Sequence, residues 1–67
     1  MTLGESLPLE MARVRDEVMP VYLEIGAGGA FALASMRSDL DLAAKAIIEG
    51  DIVSMIRAYE ALKSYRL

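Results

Sequence analysis

A cluster of glycines is the feature of this sequence that most resembles a ligand-binding motif. The segment "EIGAGGAFALASM", residues 24–36, has glycines at positions 26, 28 and 29. Such a loop cradles a dinucleotide phosphate when a strand precedes it, a helix follows it and a third glycine stands at the right step. Here a helix-period stripe precedes it and Phe31 occupies the third glycine position, so we interpret the segment as the turn of a helical hairpin. The amides of Gly28 and Gly29 stay a candidate anion nest at the start of the next helix.

Catalytic residue types are scarce in this chain. It has no histidine and no cysteine, which removes the most frequent general base, the thiol nucleophile and the usual structural zinc ligands. Asp39 and Asp41 resemble a chelating pair, but two residues on a helix are about 200° apart, so their carboxylates diverge. We therefore predict no catalytic residue, no metal site and no cofactor, and we expect that the protein is not an enzyme.

Basic residues near the C-terminus raise the alternative of DNA binding. The second and third predicted helices, joined at Gly50, could form a helix-turn-helix with Arg57, Lys63 and Arg66 reaching phosphate or base. The first turn of the last helix, however, offers Asp51 and apolar side chains to the bases. The formal charge of −3 and the pI near 4.7 also disfavour nucleic acid as a partner. A DNA-binding regulator is the alternative function.

The sequence predicts an all-α fold, and the first helix over residues 7–25. Ser6 is the candidate N-cap, Pro20 predicts a kink because its ring disrupts the hydrogen-bond ladder, and Gly26 is placed to end the helix in the left-handed conformation. Apolar residues recur at spacings of three and four, which is typical of a buried helix face. The predicted core stripe comprises Leu7, Met11, Val14, Val18, Val21 and Ile25.

Two further helices are predicted over residues 30–49 and 52–65. The segment "SDLD", which starts at Ser38, is typical of the N-cap of a new helix, so it leaves open whether the second helix is continuous. Gly50 and Asp51 form the clearest boundary, a C′ glycine followed by an N-cap aspartate. The core residues predicted on these helices are Leu33, Met36, Leu40, Ala43, Ala44, Ile47, Ile52, Met55, Ile56, Tyr59 and Leu62. Residues 1–67 then form one domain, a small three-helix bundle or an α-hairpin plus a third helix.

Residues 46–62, "AIIEGDIVSMIRAYEAL", resemble the turn and second helix of a tetratricopeptide repeat. Gly50 and Asp51 match the corner of that repeat, and Tyr59 matches the aromatic residue of its second helix. Met55 stands where the family places a small alanine. The resemblance covers about a quarter of the chain and occurs once, whereas stacked repeats need about three copies. It supports an α-hairpin geometry and not membership of the family.

The chain has more apolar residues than one small core consumes. It is 55% hydrophobic over 67 residues, and neither a disulfide nor a zinc site compensates for the small interior of such a chain. A second apolar stripe on the first helix and apolar residues off the core face of the second predict a partner-facing surface, and a two-fold homodimer is the commonest form of such an assembly. The predicted partner interface comprises Leu9, Ala12, Met19, Leu23, Phe31 and Leu42.

These patterns together predict a noncatalytic, acidic helical protein that acts through protein–protein interaction, as an adaptor, assembly factor or inhibitor. We expect a homodimer, a second protein as partner, or both. The longest uncharged run, residues 25–36, is too short to span a bilayer. Acidic residues outnumber basic ones on the first helix, which disfavours a membrane surface. The start "MTLGE" lacks the features of a signal peptide, so we expect a cytoplasmic protein.

Overall fold

The computed structural model describes residues 2–66, and over this range the fold is all-α, as the sequence predicts. The helical stretch from residue 3 to residue 49 would measure about 70 Å if it were straight. The longest dimension of the molecule is 35 Å, so the chain reverses within that stretch, at the glycines. The elements are α1 Leu3–Arg13, a π-helical turn Val14–Val18, α2 Met19–Ile25, a 3-10 turn Gly26–Gly29, α3 Ala30–Glu49 and α4 Ile52–Lys63.

The first helix begins earlier than the sequence predicts. α1 starts at Leu3 after an extended Thr2, so the prediction that Ser6 caps this helix is wrong. The Thr2 hydroxyl donates to the Glu5 carboxylate at 3.1 Å, and the Thr2 carbonyl accepts from the backbone N–H of Ser6 at 2.8 Å. These local hydrogen bonds extend the helix by one turn at its N-terminus.

A π-helical turn separates α1 from α2 immediately before Pro20. The backbone N–H of Met19 donates to the carbonyl of Val14, five residues back rather than four. Because proline has no N–H to donate, the ladder is interrupted here in any case, and the wider turn accommodates one extra residue. The distortion lies where the sequence predicts one, while a change of helix axis at Pro20 stays a prediction.

The extra residue rotates α2 by roughly 100° relative to a regular helix, and this changes which side chains are buried. Tyr22 is half-buried and packs against the core, whereas Val21 and Ile25 are exposed. The prediction that Val21 and Ile25 continue the core stripe of Leu7 and Val14 is therefore wrong. A strict period of 3.6 cannot anticipate this shift.

The joint between α3 and α4 is built by the two residues that the sequence singles out. Gly50 is left-handed, with φ 66° and ψ 27°. The Asp51 carboxylate accepts hydrogen bonds from the backbone N–H and the hydroxyl of Ser54, at 3.2 and 2.8 Å. α3 is continuous through Ser38, so a break at that residue does not occur. α4 ends at Lys63.

The core lies between α1, α3 and α4 and contains several alanines. Ala43 and Ala58 are completely buried, which indicates a close approach of α3 and α4. Ala46 is also buried, although it is not among the predicted core residues. Conversely, the predicted core residues Ile47, Ile52 and Ile56 are exposed. The buried cluster comprises Leu7, Val14, Val18, Met36, Ala43, Ala46, Met55, Ala58 and Leu62.

Candidate interaction surface

The reversal between α2 and α3 forms a projecting end of the molecule, residues 19–34, which we call the hairpin end. None of the seven residues of α2, all described, is fully buried. Leu23 and Ile25 are 55% and 58% exposed, and Phe31 is 89% exposed. Three large apolar side chains close together in sequence thus face solvent at one end of the fold.

A close backbone approach at Gly29 determines the shape of the hairpin end. Gly29 is buried, and an ideal Cβ placed on it would lie 2.5 Å from the carbonyl oxygen of Tyr22. No side chain fits there unless the backbone of α2 moves. Gly26 has φ 78° and ψ −135°, so its φ is positive as predicted, but it lies outside the left-handed helical region. This conformation is open almost only to glycine.

Gly26 and Gly29 therefore have a structural explanation, and the anion nest at Gly28 and Gly29 stays a prediction. Among the described residues, only Gly26 and Gly50 have positive φ. An anion nest needs consecutive residues of alternating hand, which Gly28 and Gly29 do not provide between them. The N–H of Ala30 already donates to the carbonyl of Ala27 within the 3-10 turn.

The tail after α4 is held to α3 by a polar cluster. The Tyr65 hydroxyl donates to the Asp39 carboxylate at 2.5 Å and lies 2.6 Å from the Ser35 hydroxyl, which therefore donates to it. Both partners lie on α3, one turn apart. The tail thus contacts α3 as far as Ser35, about one and a half turns after α3 begins at Ala30.

This polar cluster was not identified from the sequence, which treats Asp39 only as a cap or a chelator. Burial and the hydrogen bond to Asp39 raise the pKa of the Tyr65 phenol, so it stays protonated at neutral pH and acts as a donor. Asp41 is exposed and has no part in the cluster. Within residues 2–66 no group of three metal-binding side chains occurs, and no pocket is found.

The six residues of the predicted partner interface do not form one stripe. Leu9 and Leu42 are exposed, as are Leu23 and Phe31 at the hairpin end. Ala12 and Met19 are half-buried, and Met19 packs against the core. The π-helical turn lies between Ala12 and Met19, and its extra residue rotates the second half of the stripe away from the first. Whether any of the six contacts a partner stays a prediction.

A second apolar surface lies where α3 meets α4, and the apolar spacing of the sequence does not predict it. We call it the α3–α4 corner. Ile48 is 84% exposed. Apolar spacing predicts three of its members, Ile47, Ile52 and Ile56, to be core residues, whereas the structure buries Ala46 and Ala58 instead. The corner comprises Ile47, Ile48, Ile52, Val53 and Ile56.

The start of α4 is acidic in the structure. Hydrogen bonds from the Ser54 hydroxyl and amide lower the pKa of Asp51, with a smaller contribution from the charge of Arg57. A carboxylate that stays ionised at this end of α4 repels the phosphates that a helix-turn-helix would approach. Arg57 is exposed, and the Lys63 ammonium lies 5.9 Å from the centre of the Tyr59 ring.

In the part of the chain that the structure describes, one helical stretch, Leu3–Glu49, is apolar and long enough to cross a membrane by length and composition alone. This stretch comprises both arms of the hairpin, because the chain reverses at Gly26–Gly29. Core helices of soluble proteins meet the same criterion, so the observation is weak evidence in either direction.

Comparisons with known proteins add no relative to this description. No family model matches the chain, and neither the curated proteins nor the solved structures include one that matches it.

Proposed function

We propose that this chain is a noncatalytic, acidic protein that acts by binding other proteins. In this proposal it is a small three-helix bundle, kinked near Pro20, that is completed by a second copy of itself in a homodimer. It serves in the cytoplasm as an adaptor, assembly factor or inhibitor.

The observation that carries the proposal is the distribution of large apolar side chains. Among residues 2–66, eleven large hydrophobic side chains are exposed, whereas seven are buried once the three buried alanines are set aside. Single exposed apolar residues are ordinary on a protein surface. Here several are grouped at the hairpin end and the α3–α4 corner, and contiguous apolar surface of this kind is typical of interaction sites.

Sedimentation velocity between 1 and 100 µM tests the homodimer. The expected result is a species of twice the 7.3 kDa chain mass that dissociates on dilution. A fully folded monomer throughout this range would contradict this part of the proposal. Circular dichroism at each concentration checks that the helices are intact.

Affinity capture from the native cell extract, followed by mass spectrometry, tests for a second protein partner. A Phe31→Ser, Ile48→Ser double variant is the matched control, because it removes the two most exposed large apolar side chains without changing the charge. A partner captured equally by the wild type and by the double variant binds neither the hairpin end nor the α3–α4 corner through these side chains. The DNA alternative predicts retardation of duplex DNA at low salt, lost in an Arg57→Ala, Arg66→Ala variant.

A further inference from the structure

We infer that the hairpin end is the dimer interface, and that a second copy covers it with its own hairpin end. This inference rests on the proposed homodimer and assigns its surface. The two hairpin ends pack across a two-fold axis, so that each supplies the helical layer that α4 provides elsewhere in the fold.

The missing layer is visible in how the helices cover one another. α4 packs on α1 and α3, and the tail hydrogen-bonds to α3 at Asp39 and Ser35. Before that point α2 packs mainly against α3 and the adjoining turns. Of residues 19–34, all of them described, two are buried, Gly29 and Leu33. The hairpin end is thus a two-helix layer, with apolar side chains exposed where a third helix would lie.

The distribution of charge favours a second copy as the occupant. The eighteen residues Met19–Met36 contain one charged residue, Glu24. A two-fold interface brings the same surface of both copies together, so each charge near the axis lies close to the identical charge of the other copy. A surface almost without charge avoids this repulsion. At the α3–α4 corner, by contrast, self-pairing would bring the exposed carboxylates of Glu49 and Asp51 close to their own copies.

The exposed apolar area is sufficient for a weak dimer. Val21 and Ile25 lie about 40° apart on one side of α2, whereas Leu23 projects from the opposite side and cannot join the same two-fold interface. From the exposed fractions of Val21, Ile25 and Phe31, each copy therefore offers roughly 375 Å² of side-chain surface, on the basis of about 200 Å² for a large side chain. Two copies bury about 750 Å², which is below the roughly 1,000 Å² of a stable specific interface and within the range of a weak, transient one. We therefore expect a dissociation constant in the micromolar range.

A pair of matched variants tests the assignment. Phe31 and Ile48 are both more than four-fifths exposed and lie near opposite ends of α3, about 25 Å apart along its axis. We expect Phe31→Ser to raise the dissociation constant about 10- to 100-fold, because a central aromatic residue contributes most to such interfaces. Ile48→Ser should leave it within about threefold. Both are exposed, so neither change should disturb the fold.

The outcomes separate this inference from the proposed function. If Ile48→Ser weakens the dimer at least as much as Phe31→Ser, or if neither does, the inference is overturned while the homodimer stands. If the wild-type chain is a monomer at 100 µM, both are overturned. Flotation with phosphatidylcholine vesicles covers the remaining occupant: binding by a monomeric chain that is lost in Phe31→Ser would assign the hairpin end to lipid.

Cross-linking gives a second readout that does not depend on affinity. The chain has no cysteine, so a single introduced thiol can form only an intermolecular disulfide. We expect oxidised Ala27→Cys to form a covalent dimer readily, since Ala27 is exposed at the tip of the hairpin end. The matched control is Glu49→Cys at the other end of α3, which should stay largely monomeric. The reverse pattern would overturn the inference.

Discussion

The close approach of α2 and α3 makes substitution of Gly29 the most informative test of the fold. In Gly29→Ala, the new Cβ would lie 2.5 Å from the Tyr22 carbonyl oxygen, 3.3 Å from its carbonyl carbon and 3.5 Å from its Cβ. The first distance is shorter than real Cβ contacts allow. The nearest atom belongs to the backbone of α2, so relief requires the two helices to separate rather than one side chain to rotate.

The size of the effect follows from two opposing contributions. Inserting a methyl group into a packed position typically costs about 1–3 kcal/mol. Replacing glycine with alanine recovers about 0.4–1 kcal/mol, because the unfolded chain has fewer conformations. The net expectation is a loss of about 1–2 kcal/mol in the free energy of unfolding. For a chain of this size that corresponds to a melting temperature lower by about 5–15 °C.

Gly28→Ala is the matched control, one residue away in the same turn. Among the described residues, its Cβ would approach only the Cγ2 atom of Ile25, at 3.4 Å, and the φ of Gly28 is not positive. We expect its stability to be equal to that of the wild type or slightly higher. Thermal and urea unfolding followed by circular dichroism, at one fixed protein concentration, measures both variants. Equal stability of Gly29→Ala and Gly28→Ala would refute the hairpin packing described above.

Three further predictions follow from the other local contacts. Asp51→Ala should lower the melting temperature because it removes the N-cap of α4. Since folding lowers the pKa of Asp51, its stabilising contribution is present above the ordinary pKa of 3.8 and is lost as the pH falls through the folded pKa. The wild type and Asp51→Ala should therefore converge in stability in acid. Tyr65→Phe should cost about 1 kcal/mol in unfolding experiments, the usual net value of a hydrogen bond. Because the pKa of Tyr65 is raised above 10.0, its stabilising contribution is present at neutral pH and is lost as the pH rises through the folded pKa. The difference in stability between the wild type and Tyr65→Phe should therefore shrink in alkali, and an unchanged difference would contradict this. Ala58→Leu should destabilise the fold by about 1–3 kcal/mol in urea unfolding, because Ala58 is completely buried in the α1–α3–α4 core; a smaller loss would mean that the helices are less closely packed.

The sequence was sufficient to predict the features that depend on neighbouring residues. The all-α fold follows from composition and from apolar spacing. The joint at Gly50 and Asp51 is built by hydrogen bonds that span at most five residues, so its signal is contained in the local sequence. The glycine segment was likewise predicted to be the turn of a helical hairpin, and the structure places the close backbone approach at Gly29.

The start of α1 and the burial pattern of α2 were not predictable in the same way. Ser6 is as good a capping residue by type as Thr2, and only the hydrogen bonds formed decide between them. The π-helical turn adds one residue before Pro20, and that single insertion rotates α2 so that Tyr22, rather than Val21 and Ile25, faces the core. A prediction from apolar spacing assumes a constant number of residues per helical turn, so it is wrong wherever that number changes.

For the candidate site, the sequence by itself determined that this chain has more apolar side chains than a small core can hold, and it singled out Phe31. Only the tertiary structure decided which of them stay outside. Close packing of α3 on α4 buries Ala46 and Ala58 and leaves Ile48 and Ile52 exposed, because the space between two helices depends on their separation and not on residue hydrophobicity. The tail after α4 hydrogen-bonds to α3 at Asp39 and Ser35, whereas Leu23 and Phe31 of the hairpin end stay exposed.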